Sequence, residues 1–186
     1  MRQEIIIAGF GGQGVMLIGE ILAYAGMLEG KRVSWMPSYG PEMRGGTANC
    51  SVVLTDEEDI GVPVVAEPTV VIAMSEPALQ KFAPLVVSGG LLIFSEGLAP
   101  QNIRKDVVLM EIPATDIAVR LGEARVANMV FLGALVGATG CVSPKAVISS
   151  LKEKLPQRYH SLLPVNERAI NEGIRLAHKL RGVVGV

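Results

Sequence analysis

Gly9, Gly11 and Gly14 stand at the spacing G-x-G-x-x-G within Gly9-Phe-Gly-Gly-Gln-Gly14, the one stretch of this chain whose residue types and spacing could hold an anion. The first glycine of such a motif permits a tight turn, the second lets backbone approach a phosphate, and the third lets the following helix pack against the strand. Just before it, Ile5 to Ala8 is a continuous apolar run with no polar alternation, which reads as a central parallel strand covered on both faces. The free N–H groups and the dipole of the helix that follows would favour a phosphate there. Gly12 adds backbone freedom beyond the minimal motif. The same residues also fit a plain tight strand-to-helix turn, so the motif alone leaves both readings open.

Dinucleotide chemistry requires more. An acidic residue about 20 positions beyond the glycines should close the second strand and hold the ribose hydroxyls. Arg32-Val-Ser-Trp-Met36 puts Trp35 or Met36 in that place, which argues against NAD. Two cysteines, Cys50 and Cys141, lie far apart, read as buried thiols, and fall short of the four ligands of an iron–sulfur cluster. His160 and His178 add too little for zinc and read as surface residues. The acidic run Asp56-Glu-Glu-Asp59 reads as a solvated turn, because adjacent side chains point apart. No Ser-His-Asp or Cys-His set can be assembled, so neither a catalytic nor a metal site is assigned to this chain.

The elements that must position the glycine turn are legible in order. Val15 to Leu28 carries a broad apolar face of Leu17, Ile18, Ile21, Leu22, Ala25 and Leu28, with Gly30 as the stop signal. Lys31 to Met36 reads as the second strand, followed by a Gly- and Pro-rich loop over 37–46, longer than a usual α/β connection. Ala48 to Leu54 alternates, as a half-buried and antiparallel strand would. Val70 to Met74, Leu91 to Ser95 and Val107 to Ile112 supply further strands. Ser75 caps a short helix carrying Glu76 and Pro77 in its first turn, and Thr115 to Leu121 forms another that stops at Gly122. The uncharged stretch 126–144 divides into a helix of about fourteen residues and a new start at Ser143-Pro144, rather than one membrane span. Its Gly133-Ala-Leu-Val-Gly137 spacing implies close packing on the sheet or on a partner. Asn128 either opens that helix or faces a ligand. Pro144 to Leu155 and Asn166 to Leu180 close the chain as amphipathic helices.

This order implies one domain over 1–186, an α/β fold with a three-layer, mostly parallel Rossmann-like sheet and helices on both faces. The residues are 49% hydrophobic but only 4% aromatic, so the core must be built from Ile, Val, Leu and Ala. That apolar content, with the small residues of helix 126–139, leads us to expect self-association or buried partner surface. A net charge of −1 gives no general attraction to nucleic acid or to an acidic membrane, and neither is expected as a partner. The N-terminal stretch lacks the basic-then-apolar layout of a signal peptide, which makes the cytoplasm the expected location.

Taken together, Gly9-Phe-Gly-Gly-Gln-Gly14, Pro37-Ser-Tyr-Gly-Pro-Glu-Met-Arg-Gly-Gly-Thr-Ala48 and Ala127-Asn-Met-Val-Phe-Leu-Gly-Ala134 resemble the γ subunit of 2-oxoacid:ferredoxin oxidoreductases, over nearly the whole chain. Tyr-Gly-Pro-Glu-x-Arg-Gly-Gly is the distinctive part, and Tyr39 sets the chain apart from the related indolepyruvate enzymes, which resemble it in the first motif. The resemblance implies a multi-subunit enzyme that oxidatively decarboxylates a 2-oxoacid (pyruvate, 2-oxoglutarate or a branched acid), transfers the acyl group to coenzyme A and passes electrons to ferredoxin. Thiamine diphosphate and the iron–sulfur clusters would belong to the α and β subunits and a ferredoxin-like δ subunit. By the same resemblance Gly9, Gly11, Gly12, Gln13 and Gly14 would form an anion-accepting turn for coenzyme A, with Arg44 as a phosphate partner and Tyr39 and Glu42 shaping the loop. A free-standing nucleotide-binding oxidoreductase and a non-catalytic assembly module remain as alternatives.

Overall fold

The computed structural model describes residues 1–39, 47–57, 60, 64–100 and 104–184, the side chains of Tyr39 and 181–184 excepted. β1 (Arg2–Phe10) is the centre of a six-stranded sheet of order β2-β3-β1-β4-β5-β6. β2 is Arg32–Tyr39, β3 Thr47–Thr55, β4 Val70–Ala73, β5 Leu91–Ser95 and β6 Val108–Ile112. β1, β4, β5 and β6 are mutually parallel, whereas β3 runs antiparallel to both β1 and β2. The expected mostly parallel, Rossmann-like sheet is therefore present, with one antiparallel strand inserted beside its centre. Ile5, Ile6, Ile7 and Ala8 are all buried, as an apolar run covered on both faces requires. Full burial of each isoleucine contributes about 1.5–3 kcal/mol.

Helices cover both faces unequally. Ile5, Ile7, Val52, Leu54, Ile72 and Ile93 point to one face and share a core with α1 (Val15–Leu28), α4 (Ala127–Thr139), α5 (Pro144–Lys154) and α6 (Leu163–Val184), as does α3 (Ala114–Arg120). Ile6, Ala8, Val71 and Leu92 point the other way and pack on Ala78, Leu79 and Phe82 of α2 (Glu76–Phe82). Ser75 caps α2 by accepting from the Ala78 N–H, and Ser143 caps α5 by accepting from the Ala146 N–H.

Several boundaries differ from the sequence reading for physical reasons. β2 runs on through Pro37 to Tyr39, because it is an edge strand and the missing proline N–H interrupts no ladder inside the sheet. The second half of β3 is buried on both faces rather than one, since Val53 packs under α2 while Val52 and Leu54 face α1. Leu28 ends 51% exposed, at the overhanging last turn of α1. α6 starts three residues early, through Pro164, after an unanticipated 3-10 turn over Gln157–Leu162; a proline in the first turn of a helix removes no needed donor.

The glycine pair of α4 packs on α6 rather than on the sheet. A Cβ on Gly133 would lie 2.0 Å from the Ile170 carbonyl oxygen, and one on Gly173 would lie 2.1 Å from the Val130 carbonyl oxygen, so α4 and α6 meet backbone to backbone. Asn128 to Gly137 are all buried. The small residues of this helix are thus buried inside the chain, at the contact of α4 with α6.

Candidate functional site

At the end of β1 the Gln13 N–H closes a tight turn on the Phe10 carbonyl at 3.2 Å, and Gly12 and Gly14 take φ values of 94° and 77° that favour glycine. Gln13 holds the turn with both ends of its amide. Its Oε1 accepts from the Phe10 N–H at 2.6 Å, and its Nε2 donates to the Met74 carbonyl at the end of β4 at 3.0 Å. Gly9 is required by this arrangement, because a Cβ there would lie 2.5 Å from Gln13 Oε1 and 3.1 Å from Met74 Cβ. Gly14 is required twice over: by its φ, and by Asn128 of α4, whose Nδ2 would lie 2.2 Å from a Gly14 Cβ.

Gly14 is also the N-cap of α1, and no side chain caps this helix and no acid stands in its first turn. The first bond of the helix runs from the Ile18 N–H to the Gly14 carbonyl at 3.1 Å, which leaves the N–H groups of Val15, Met16 and Leu17 without intrahelical partners. Oriented N–H groups at the positive end of the dipole are a fitting seat for an anion.

Beside this helix start lies a cleft of about 310 Å³. Gly12 and Gly14, Arg125 and Asn128, and Tyr159 and Asn166 contribute to its walls; no carboxylate does. Asn166 is engaged, donating to the Leu162 carbonyl at 2.8 Å. α4 continues a 3-10 turn over Ala124–Val126, whose start the Glu123 carboxylate caps by accepting from the Arg125 N–H. A slightly larger cavity of about 390 Å³ lies at the opposite end of the parallel strands, near Val70, Leu91 and Val108, and no charged side chain lines it. Ligands of open α/β sheets bind at the carboxyl ends of the strands, where the smaller cleft sits.

Neither the cysteines nor the histidines line this cleft. Burial pushes the Cys50 thiol up to about 11, with lesser opposing hydrogen bonds, and raises Cys141 as well, so both stay neutral and unreactive. Among the described residues no group of three His, Cys, Asp or Glu side chains could hold a metal ion. His160 and His178 are exposed, as expected. No described helix is long and apolar enough to cross a membrane.

Of the residues singled out in the sequence, Gly9, Gly11, Gly12, Gln13 and Gly14 form the turn itself. Glu42 and Arg44 lie outside the described residues, and Tyr39 is described for its backbone alone. The strand ends that bracket 40–46 are nevertheless placed: Tyr39 pairs with Ala48, which pairs with Gly9, and Thr47 pairs with Phe10. β2 therefore ends, and β3 begins, at the end of the sheet that carries the glycine turn, with β3 directly beside β1 and β2 one strand further away. Arg125 and Tyr159 had no signal in the sequence, because only the packing of α4 and α6 brings them to the turn. Asn128 does begin α4, but it provides no cap and lies against Gly14 instead.

A family model described as pyruvate ferredoxin/flavodoxin oxidoreductase matches residues 4–176. Ketoisovalerate oxidoreductase subunit VorA of Methanothermobacter thermautotrophicus is 45% identical over 139 residues, 74% of this chain and 29% of that protein, so the chain spans less than a third of this relative. The 2-oxoglutarate synthase subunit KorC of Methanothermobacter marburgensis is 42% identical over 164 residues, covering 84% of this chain and 88% of that one. Among solved structures, the keto/oxoacid ferredoxin oxidoreductase γ subunit from Geobacter sulfurreducens superposes with a TM-score of 0.79 at 28% identity, covering 94% of this chain and 98% of that one. The 2-oxoglutarate:ferredoxin oxidoreductase from Magnetococcus marinus, with 2-oxoglutarate, coenzyme A and succinyl-CoA bound, shares the fold with a TM-score of 0.84 at 24% identity, over 96% of this chain and 31% of that one. With a glycine turn and an uncapped α1 on the same sheet, and with this breadth of match, the chain belongs to the pyruvate ferredoxin/flavodoxin oxidoreductase family, as a γ-subunit-type member.

Proposed function

We propose that this chain serves a multi-subunit 2-oxoacid:ferredoxin oxidoreductase, which oxidatively decarboxylates a 2-oxoacid to an acyl-CoA and sends the electrons to ferredoxin. Its own part is to receive phosphate groups of coenzyme A at the Gly9–Gly14 turn. The observation that carries this reading is the start of α1, where three backbone N–H groups stand free behind the turn with no side-chain cap and no acid. The Magnetococcus enzyme of the same fold has coenzyme A bound, which supports the choice of anion. Thiamine diphosphate and the iron–sulfur clusters belong on α, β and ferredoxin-like δ partners in this reading, and the cytoplasm is its setting. Two cysteines fall short of the four ligands of a standard cluster, which supports placing the clusters elsewhere.

Arg44 tests the reading. Tyr39 lies about 10 Å from Gly9 across two strand spacings. A charge-assisted contact from Arg44 to a phosphate is worth about 1.5–3 kcal/mol, or roughly a ten- to hundredfold change in affinity. In the assembled enzyme, Arg44→Ala should raise KM for coenzyme A by that factor while the subunits stay associated. A second reading rests on Gln13, whose amide is fully engaged within the turn and marks it as a structural element of an assembly module. That reading expects unchanged coenzyme A kinetics and weakened assembly from the same variant.

A further inference from the structure

Asn128 is only 6% exposed, and its side-chain amide makes no hydrogen bond to another described residue; it is not sealed from water but lines the cleft. Asparagine has no intrinsic advantage over alanine inside a helix turn. Its position explains the residue differently. The amide lies against Gly14, at the start of α1, and lines the same cleft as Gly12 and Arg125. α1, of 14 residues, begins at this cleft with no side-chain cap and no acid in its first turn, whereas α4 continues a 3-10 turn over Ala124–Val126 that the Glu123 carboxylate caps by accepting from the Arg125 N–H.

Arg125 stands at the rim, 65% exposed, and is held in place by Glu123, with Nε to Oε1 at 2.8 Å and a terminal nitrogen to Oε2 at 2.7 Å. A guanidinium has five N–H donors, so this bidentate pair fixes its plane and leaves three donors free. The remaining wall is apolar and aromatic, formed by Leu17, Val126, Leu155 and the ring of Tyr159. At about 310 Å³ the cleft stands at the small end of the roughly 300–1,000 Å³ typical of ligand pockets, room for a phosphorylated fragment rather than a whole dinucleotide.

We infer that this cleft is a phosphate subsite, in which Asn128 donates to and Arg125 pairs with a phosphate or pyrophosphate group of an organic ester seated on the first turn of α1. The inference rests on the reading of the glycine turn as an anion site, and it assigns the ligand's second set of contacts to α4 rather than to residues 40–46. It makes Asn128 and Arg125 binding residues with no catalytic part.

The test titrates the full chain with inorganic pyrophosphate and, separately, with coenzyme A, following backbone and side-chain amide signals by NMR. Pyrophosphate should move the Val15, Met16 and Leu17 amides and the Asn128 side-chain pair along one saturable curve. Asn128→Asp, which sets a carboxylate against the ligand, should weaken binding at least about tenfold. Because an acid at a buried position can unfold the chain, Arg125→Gln at an exposed position serves as the second variant. It should weaken binding about tenfold and flatten its dependence on salt. Absence of saturable binding, or equal binding by both variants and the parent chain, overturns the subsite. Coenzyme A bound normally by both variants also overturns it while leaving the proposed function standing. Pyrophosphate bound as expected with no competition from coenzyme A upholds the subsite and overturns the coenzyme A reading.

Discussion

Two glycines four and two residues beyond Phe10 share a positive φ but differ in what surrounds them, and that difference predicts unequal effects of the same substitution. Nothing lies within 4 Å of a Cβ on Gly12, so Gly12→Ala meets only the left-handed backbone penalty of about 1–2 kcal/mol. A Cβ on Gly14 meets that penalty and Asn128 Nδ2 at 2.2 Å, adding an overpacking term of about 1–3 kcal/mol. Denaturant midpoints should therefore fall further for Gly14→Ala than for Gly12→Ala; equal losses would mean that Asn128 does not press on the turn. Beside them, Arg125 holds the Glu123 carboxyl down from 4.5 to about 2, chiefly through their hydrogen bonds. A carboxylate depressed on folding stabilises the folded state above its ordinary pKa. The contribution of this pair is therefore complete above about pH 4.5 and disappears as the pH falls through about 2. Carboxyl NMR titration should find the low Glu123 midpoint, and Arg125→Gln should return it towards 4.5. A parent-chain midpoint already near 4.5 would remove the ion pair that fixes the guanidinium.

At the scale of elements, the contact of α4 with α6 tolerates little change at its glycines, because they bring the two helix backbones together. Gly133→Ala gains about 1 kcal/mol of intrinsic helix preference. The new methyl group, however, would lie 2.0 Å from the Ile170 carbonyl oxygen, a backbone atom that cannot rotate away. The clash dominates, and we expect a net loss of about 2 kcal/mol or more in thermal or denaturant unfolding. A neutral or stabilising Gly133→Ala would show that the helices can separate at little cost. The proposed subsite depends on this contact, since α4 carries Asn128 and Arg125 adjoins its start, while α6 and the 3-10 turn before it carry Asn166 and Tyr159.

For the whole molecule, the insertion of β3 between β1 and β2 sets what the glycine turn can bind. In a dinucleotide-binding sheet the second strand lies directly beside the first and ends in the acid that holds the ribose. Here β3 occupies that place and runs the other way, while Trp35 of β2 packs into the core beneath α1. With no acid ending β2 in the sequence and no carboxylate lining the cleft among the described residues, NAD and NADP should bind no better than millimolar, about −4 kcal/mol, by calorimetry. Micromolar binding of either would overturn this expectation.

The sequence by itself determined the local elements and the anion-seeking turn. The apolar run Ile5–Ala8, the alternation through β3, the caps at Ser75 and Ser143, and the glycines before α1 each follow from interactions within a few residues, which composition and spacing encode directly. It also carried the family resemblance, through motifs that the tertiary structure did not have to interpret. Which strand stands beside β1 was decided only in three dimensions, because strand order depends on pairing between residues some 45 positions apart, such as Ile7 with Cys50. Likewise, only the meeting of Gly133 with Ile170 sets α4 against α6, brings Asn128 over Gly14 and leaves Arg125 at the rim of the cleft, because side chains from distant segments converge only after the core has packed.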